Sequence, residues 1–225
     1  PSTMSCVGTM MGLPLAGLAS GFVSSSATIH AMGRRTRDEA ELMPGLVAGA
    51  VLSSVATVVQ LALVTAYLAP TLLAQLAWSL LLGGAVAVLY GAWFTLHALR
   101  APDTPARGTG RAFDLYAALM FAGLIGAVLT VAAALNAWAG DRGLLATAAV
   151  AGLADAHSAA VAAASMVATG TIQPSLGVVA VLTGLSTNAM VKSILAVTSG
   201  GSAYAMRIIP GLALMMGAAW LGILL

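Results

Sequence analysis

The chain has 225 residues, of which 60% are hydrophobic and only 7% are charged, and its formal net charge is +2. A soluble domain carries about 25% charged residues, so this composition excludes a soluble domain and predicts an integral membrane protein. The small net charge does not indicate a nucleic-acid partner. The single cysteine, Cys6, excludes an internal disulfide and a thiolate metal cage.

Long apolar runs, separated by charges, prolines and glycines, predict an all-α membrane domain of seven spanning helices. The predicted spans cover residues 7–32, 42–68, 72–99, 112–138, 144–168, 176–198 and 203–225. The chain starts at Pro1 without the basic segment of a signal peptide. This abrupt start is what the tail of a longer protein would show.

The basic residues predict the orientation in the membrane. Most of them lie in two loops, residues 34–37 and 100–111, which share a side because two predicted spans separate them. Lysine and arginine accumulate in cytoplasmic loops. The pattern therefore predicts a multi-pass membrane protein with the amino terminus outside and the carboxyl terminus in the cytoplasm.

Four aromatic residues fall near predicted span ends, where tryptophan and tyrosine are typical anchors at the membrane interface. They are Tyr67, Trp138, Tyr204 and Trp220. We expect these side chains to lie at the membrane surface and not to stack on a ligand.

Two parts of the chain resemble each other. The segment Ala16–Ala19 recurs as Ala151–Ala154, and the proline, leucine and threonine positions of Pro44–Thr57 recur in Pro174–Thr187. Chance similarity between helices rich in Ala, Val and Leu is the alternative. The predicted repeat is parallel, of 3+1+3 form, with repeats at 7–99 and 144–225 and a connector helix at 112–138.

Asp155 and Lys192 interrupt two apolar runs. A charge near the centre of a bilayer costs at least about 2.5–3.5 kcal/mol, so by default it marks a functional site. At 1.5 Å per residue, Asp155 lies roughly 17 Å into its span and Lys192 roughly 10 Å into its own. The two charges could pair across a short turn, or Lys192 could extend to the outer interface; both alternatives stay open.

Small polar residues surround these charges along the sequence. Asn188 and Ser158 share helix faces with Lys192 and Asp155, whereas His157 points away unless the helix is unwound. Serines that pack helices together and a structural histidine are the competing interpretations. The candidate ion- or substrate-binding residues are Ser24, Ser25, Thr28, Asp155, Ser158, Asn188 and Lys192, with weaker candidates Ser26, His30, His157, Gln60 and Thr187.

The motifs at these residues resemble a known family, the membrane domain of unknown function at the carboxyl end of bacterial MgtC/SapB-like proteins. The resemblance lies in Gly21–Ala27, Arg34–Arg37, Gly140–Gly143, Gly152–Ala156 and Asn188–Lys192, and it covers nearly the whole chain. The biochemical activity of this family is not established. The resemblance implies that an upstream membrane segment is missing from this chain, which agrees with its abrupt start. The MgtC-like neighbour is associated with survival at low magnesium and with virulence, and acts as a regulator more than a proven transporter.

The chain departs from the family pattern at three positions. His157 stands where the family tends to have an aspartate, Gln60 where it tends to have an arginine, and Ser26 where it tends to have a threonine. We hypothesise that the missing acid and base are partners that were lost together. The variants His157→Asp and Gln60→Arg, singly and combined, test this by thermal unfolding. A combined variant no more stable than either single one contradicts the hypothesis.

Two functions from different classes are consistent with the sequence. The first is a transporter or channel for a small ion or polar solute, with a polar site at the repeat interface. The second is a non-transporting membrane regulator or helix-assembly partner of MgtC-like type. No catalytic motif is present, and one buried carboxylate is a poor magnesium or calcium cage. We therefore expect no enzyme activity, no cofactor and no metal site.

The expected partners are the lipid bilayer, a small ion or polar solute and a possible homo-oligomer. One backbone feature would separate the alternatives. If spans one and five are unwound at their Gly-Leu-Ala segments and face each other, a binding site is favoured, because an opened membrane helix exposes polar backbone groups. A continuous helix that faces lipid at Asp155 would contradict a site there.

Overall fold

The computed structural model describes residues 3–100, Thr130 and residues 143–225. The positions of side chains are described from Gly12 onward. This part of the chain is helical and contains no β-strand. Short 3-10 turns at Ala40–Leu42 and Gly222–Leu224 accompany the main helices. The helices are α1 Thr3–Asp38, α2 Met43–Leu68, α3 Pro70–Arg100, α4 Leu144–Ala154, α5 Ala156–Ala168 and α6 Pro174–Leu221.

The predicted all-α class is confirmed for the described residues, and their apolar helices support the predicted membrane protein. Among the described residues, four helical segments are long and apolar enough to cross a membrane: Gly12–Asp38, Ala40–Leu68, Pro70–Arg100 and Pro174–Leu224. Helices α4 and α5 are apolar but shorter. The predicted connector at 112–138 and the loop at 101–111 lie outside the described residues, so the count of seven spans and the 3+1+3 repeat stay predictions.

Local chemistry accounts for the ends of several helices. Pro70 and Pro174 occupy the first positions of α3 and α6, where a missing N–H costs nothing and the fixed φ favours a helix. Helix α5 ends at Ala168, and Gly170, two residues beyond it, has a φ of 73°. The left-handed glycine lets Thr171 N donate to Met166 O at 2.9 Å, which satisfies a terminal carbonyl.

Two of the predicted spans are interrupted by an extended residue. Within α1, Ser24 has φ −164° and ψ 111°. Between α4 and α5, Asp155 has φ −162° and ψ 132°. Asp155 directly follows the Gly152–Ala154 segment, whereas the break in α1 lies several residues beyond its Gly-Leu-Ala counterpart. Apolar helices are therefore opened at two polar residues, both of them candidate site residues.

Helix α6 bends at Gly201, which has φ 73° and ψ −173°. Only glycine adopts this combination readily, because a Cβ would collide with the backbone. The predicted boundary between spans six and seven lies at this bend, where two helical segments of α6 meet.

The chain forms two compact units. In the described part, the first unit contains residues 3–59, 82–100 and 191–218, and the second contains residues 60–81, 143–190 and 219–225. Both α2 and α6 contribute to each unit. Asp155 belongs to the second unit and Lys192 to the first, so the predicted pairing of these two charges stays a prediction.

The core of the first unit packs α1 and α2 against the second half of α6. Buried side chains such as Ile29, Leu46 and Ile208 form it together with Tyr204, which has no exposed surface. The Tyr204 hydroxyl donates a hydrogen bond of 2.9 Å to Ile29 O. The prediction that Tyr204 is an interfacial anchor is therefore wrong, because the bend at Gly201 returns this side chain to α1.

Replacing Tyr204 by phenylalanine should lower the free energy of unfolding by about 1 kcal/mol, the net value of a typical hydrogen bond. The ring stays and only the bond to Ile29 O is lost. Denaturant unfolding in detergent, followed by circular dichroism, measures the effect. Tyr67→Phe is the matched control, because Tyr67 is 87% exposed. Equal losses in the two variants would contradict the role given to the bond.

Candidate functional site

The break in α1 is stabilised by its own small polar side chains. Ser24 Oγ accepts a hydrogen bond of 3.2 Å from Ala27 N, so Ser24 caps the helical segment that follows it. Thr28 Oγ1 lies 2.9 Å from both Ser24 O and Ser20 Oγ. These contacts satisfy polar groups that the extended residue removes from the regular helix pattern.

Next to this break lies a buried group that we call the Lys192 cluster, made of Ser25, Thr57 and Lys192. Lys192 is 1% exposed, and its Nζ donates to Thr57 Oγ1 at 3.3 Å. Thr57 Oγ1 lies 2.8 Å from Ser25 Oγ. Ser53 borders the cluster, since its hydroxyl is 3.4 Å from Ser25 O. Helices α1, α2 and α6 each contribute one member.

The second unit contains the Asp155 break, which we define as Asp155 and His157. Asp155 sits at the amino end of α5 but makes no side-chain cap bond to that helix. Instead, Asp155 Oδ1 lies 2.6 Å from His157 Nδ1. A carboxylate only accepts hydrogen bonds, so the histidine nitrogen is the donor, and the short distance is typical of a charge-assisted bond.

His157 Nε2 is buried and has no hydrogen-bond partner among the described residues, whereas the Asp155 side chain is 42% exposed. A neutral imidazole with Nδ1–H directed at a carboxylate leaves Nε2 as an acceptor. The Asp155 break can therefore accept a proton or face a cation.

Glycines pack both broken helices tightly against the next helix of the same unit. A side chain at Gly17 would collide with the backbone of Gly49, and one at Gly152 would collide with the backbone of Gly184. Thr187 Oγ1 also touches the position of a Gly152 side chain. The small residues let the backbones approach closely, as is typical of helix contacts in membranes.

The remaining candidates are distributed over both units. Ser26 is buried on α1, while His30 and Gln60 are half-buried on α1 and α2. Thr187 donates to Gly184 O at 3.0 Å within its own helix, and Asn188 is buried one turn before Lys192. Ser158 is half-buried in the first turn of α5.

The sequence did not predict Thr57 as a member of the Lys192 cluster, or Ser53 as its neighbour. Both lie on α2, one turn apart, so they share a face. Their hydroxyls resemble those of many serines and threonines in apolar helices that bond to the preceding turn, as Thr65 does with Leu61 O at 2.7 Å. Thr57 was visible only as a position shared by the two predicted repeats.

The family described as Domain of unknown function (DUF4010) matches residues 3–200. The chain belongs to this family. No curated protein and no solved structure gives a significant match. The DUF4010 match includes the Lys192 cluster and the Asp155 break, and it ends at Gly200, beside the bend of α6. Both sites therefore lie within the DUF4010 domain, whose name assigns it no chemistry.

Proposed function

We propose that this protein is a transporter or channel for a small ion or polar solute in the bacterial inner membrane. One observation carries the proposal: two apolar helices are each opened at a polar residue, Ser24 and Asp155. Non-helical backbone at membrane depth is tolerated where it is buried in protein or lines a water-filled cavity. Broken helices of this kind hold the substrate in many secondary transporters.

The side chains at the breaks suit this role. Asp155 is the protonatable or cation-facing group, and His157 Nδ1 holds its carboxylate in place at 2.6 Å. Lys192 supplies a counter-charge or an anion contact. Ser24, Ser25, Thr28, Ser158 and Asn188 supply neutral oxygens and donors. None of these residues takes part in a bond-breaking step in this proposal. We therefore propose no enzyme activity and no cofactor.

The glycine contacts support the proposed parallel repeat. Gly17 meets Gly49 and Gly152 meets Gly184, and the two pairs have the same separation along the chain. In each unit a glycine before the break therefore packs on the following helix. We propose that the repeats at 7–99 and 144–225 are joined by the connector at 112–138, with the amino terminus outside and the carboxyl terminus in the cytoplasm.

Flux measurements in proteoliposomes test the function. The purified full chain is reconstituted, and uptake of alkali and divalent cations, halides, nitrate and protons is followed beside protein-free liposomes. We expect uptake of at least one solute above the protein-free rate. Folded protein, verified by circular dichroism after reconstitution, that moves none of these solutes would defeat the proposal.

Close helix packing favours a second function, a non-transporting regulator or helix-assembly partner of MgtC-like type. Lys192 is almost completely buried, as expected of a residue that fixes helices in place, and the glycine contacts have the same effect. The double variant Asp155→Leu/Lys192→Met separates the two functions. If the double variant folds but shows no solute flux, the two charges serve transport. If it folds and behaves as the wild type does in the flux assay, the two charges have only a structural role.

A further inference from the structure

Helices α4 and α5 fold back on each other at Asp155. A Cβ at Gly184 of α6 would lie 3.2 Å from Ala148 O on α4, and it would also collide with the Ala159 side chain on α5. In one straight helix these two alanines would be roughly 17 Å apart, at 1.5 Å per residue. Because both of them meet the same point of α6, residues 144–168 form a hairpin with Asp155 at its tip.

The break in α1 is a hairpin of the same kind. Thr28 Oγ1 lies 2.9 Å from Ser20 Oγ, although a straight helix would separate these residues by roughly 12 Å along its axis. A Cβ at Gly49 of α2 would lie 2.7 Å from Leu13 O and 3.3 Å from Met32 Cε. Residues on both sides of the break therefore lie beside the same turn of α2.

Each hairpin tip lies beside the middle of a longer apolar helix of its own unit. Ser25 Oγ is 2.8 Å from the hydroxyl of Thr57, which lies near the middle of α2. Gly152 meets Thr187, about midway between Pro174 and the bend of α6. Helices α4 and α5 have 11 and 13 residues, and apolar segments of this length are typical of buried or re-entrant helices, which do not cross the membrane.

A contact between α1 and α6 inside the first unit agrees with a hairpin at residues 144–168. Arg37 Nη2 donates to Thr198 O at 2.7 Å, and a Cβ at Gly33 would collide with Ser199 Oγ. These two chain segments therefore lie on the same side of the membrane. The seven predicted spans put five crossings between Arg37 and Thr198, which places them on opposite sides. If the folded-back residues 144–168 do not cross, four crossings remain and the conflict disappears.

We propose that residues 12–38 and 144–168 are re-entrant hairpins, which enter the membrane to about its middle and leave on the side from which they entered. Non-helical backbone at this depth is tolerated where it is buried in protein or lines a water-filled cavity. With the basic loops 34–37 and 100–111 kept in the cytoplasm, both ends of the chain change sides relative to the seven-crossing topology. The inference goes beyond the proposed transport function and stands without it, because it concerns only the path of the chain.

Labelling of single cysteines with a membrane-impermeant maleimide tests this path in the full chain. On a Cys6→Ser background, Ala146→Cys and Thr171→Cys place one thiol near each end of the α4–α5 hairpin, at exposed positions. Right-side-out and inside-out membrane vesicles are labelled separately, and both thiols should react in the same preparation. Thr71→Cys and Leu99→Cys are the control pair at the two ends of α3, and they should react in opposite preparations because α3 is long enough to cross.

The pair Gly12→Cys and Asp38→Cys tests the α1 hairpin in the same way, and its two thiols should also react from one side. Labelling of either pair from opposite sides would overturn the re-entrant path of that segment, even if solute flux is found. Labelling of both pairs from one side, without flux of any solute, supports the hairpins and defeats only the transporter. If a variant of the α4–α5 pair does not fold, the exposed positions Leu145→Cys and Thr169→Cys are held to the same standard.

Discussion

Replacing Asp155 by asparagine should lower solute flux in proteoliposomes at least about tenfold, equivalent to about 1.4 kcal/mol, while the fold is kept. Asparagine has nearly the same shape and starts helices as well as aspartate does, so α5 can still begin after residue 155. Its amide oxygen can still accept the bond from His157 Nδ1. Only the negative charge beside the break is lost, and the transport proposal assigns the solute or proton to that charge.

Glu41→Gln is the control for this experiment. Glu41 is an exposed acid in the turn before α2, and its replacement removes one negative charge that belongs to neither break. Initial rates are compared at matched protein density, after circular dichroism has shown equal helix content. Undiminished flux in Asp155→Asn, or equal losses in the two variants, would remove Asp155 from the mechanism.

Replacing Gly152 by valine should destabilise the protein by about 3 kcal/mol or more, at the upper end of what overpacking a core costs. The new Cβ would collide with the backbone of Gly184 and with Thr187 Oγ1. A backbone cannot rotate away as a flexible side chain can, so α4 and α6 have to separate. Thermal and denaturant unfolding in detergent should show the loss, with α4 and α5 more accessible to protease.

Gly217→Val provides the matched control, because a side chain at Gly217 meets no atom of the described residues within 4 Å. Valine has the same helix propensity cost at both positions, so the difference between the variants isolates the collision. Similar stability of the two variants would show that α4 and α6 are not packed backbone to backbone at Gly152.

Much of the helix pattern follows from the sequence. The predicted spans 42–68, 72–99 and 144–168 agree closely with α2, α3 and the α4–α5 pair, since charged and proline-containing breaks end apolar helices for simple physical reasons. The bend at Gly201 falls at a predicted turn. Composition alone predicted the membrane class, because a chain with so few charged residues cannot cover its surface in water.

The details of the site could not be predicted in the same way. A regular helix places residues 155 and 157 on different faces, and only the extended backbone at Asp155 brings His157 to its carboxylate. Thr57 meets Lys192 through tertiary packing of α2 and α6, for which local sequence has no signal. Tyr204 was predicted to be a surface anchor because it lies near the end of a predicted span. The bend of α6 decides where its ring lies, and the sequence pattern does not contain that information.

The break at Asp155 has a consequence for how the protein is made. Helices α4 and α5 have 11 and 13 residues, roughly 17 and 20 Å, and each is shorter than the hydrocarbon core of about 30 Å. A newly inserted segment facing lipid cannot leave its backbone groups unpaired. We therefore expect residues 144–168 to leave the translocon as one uninterrupted helix, which opens only after Gly184 and Thr187 have been synthesised and have docked on Gly152.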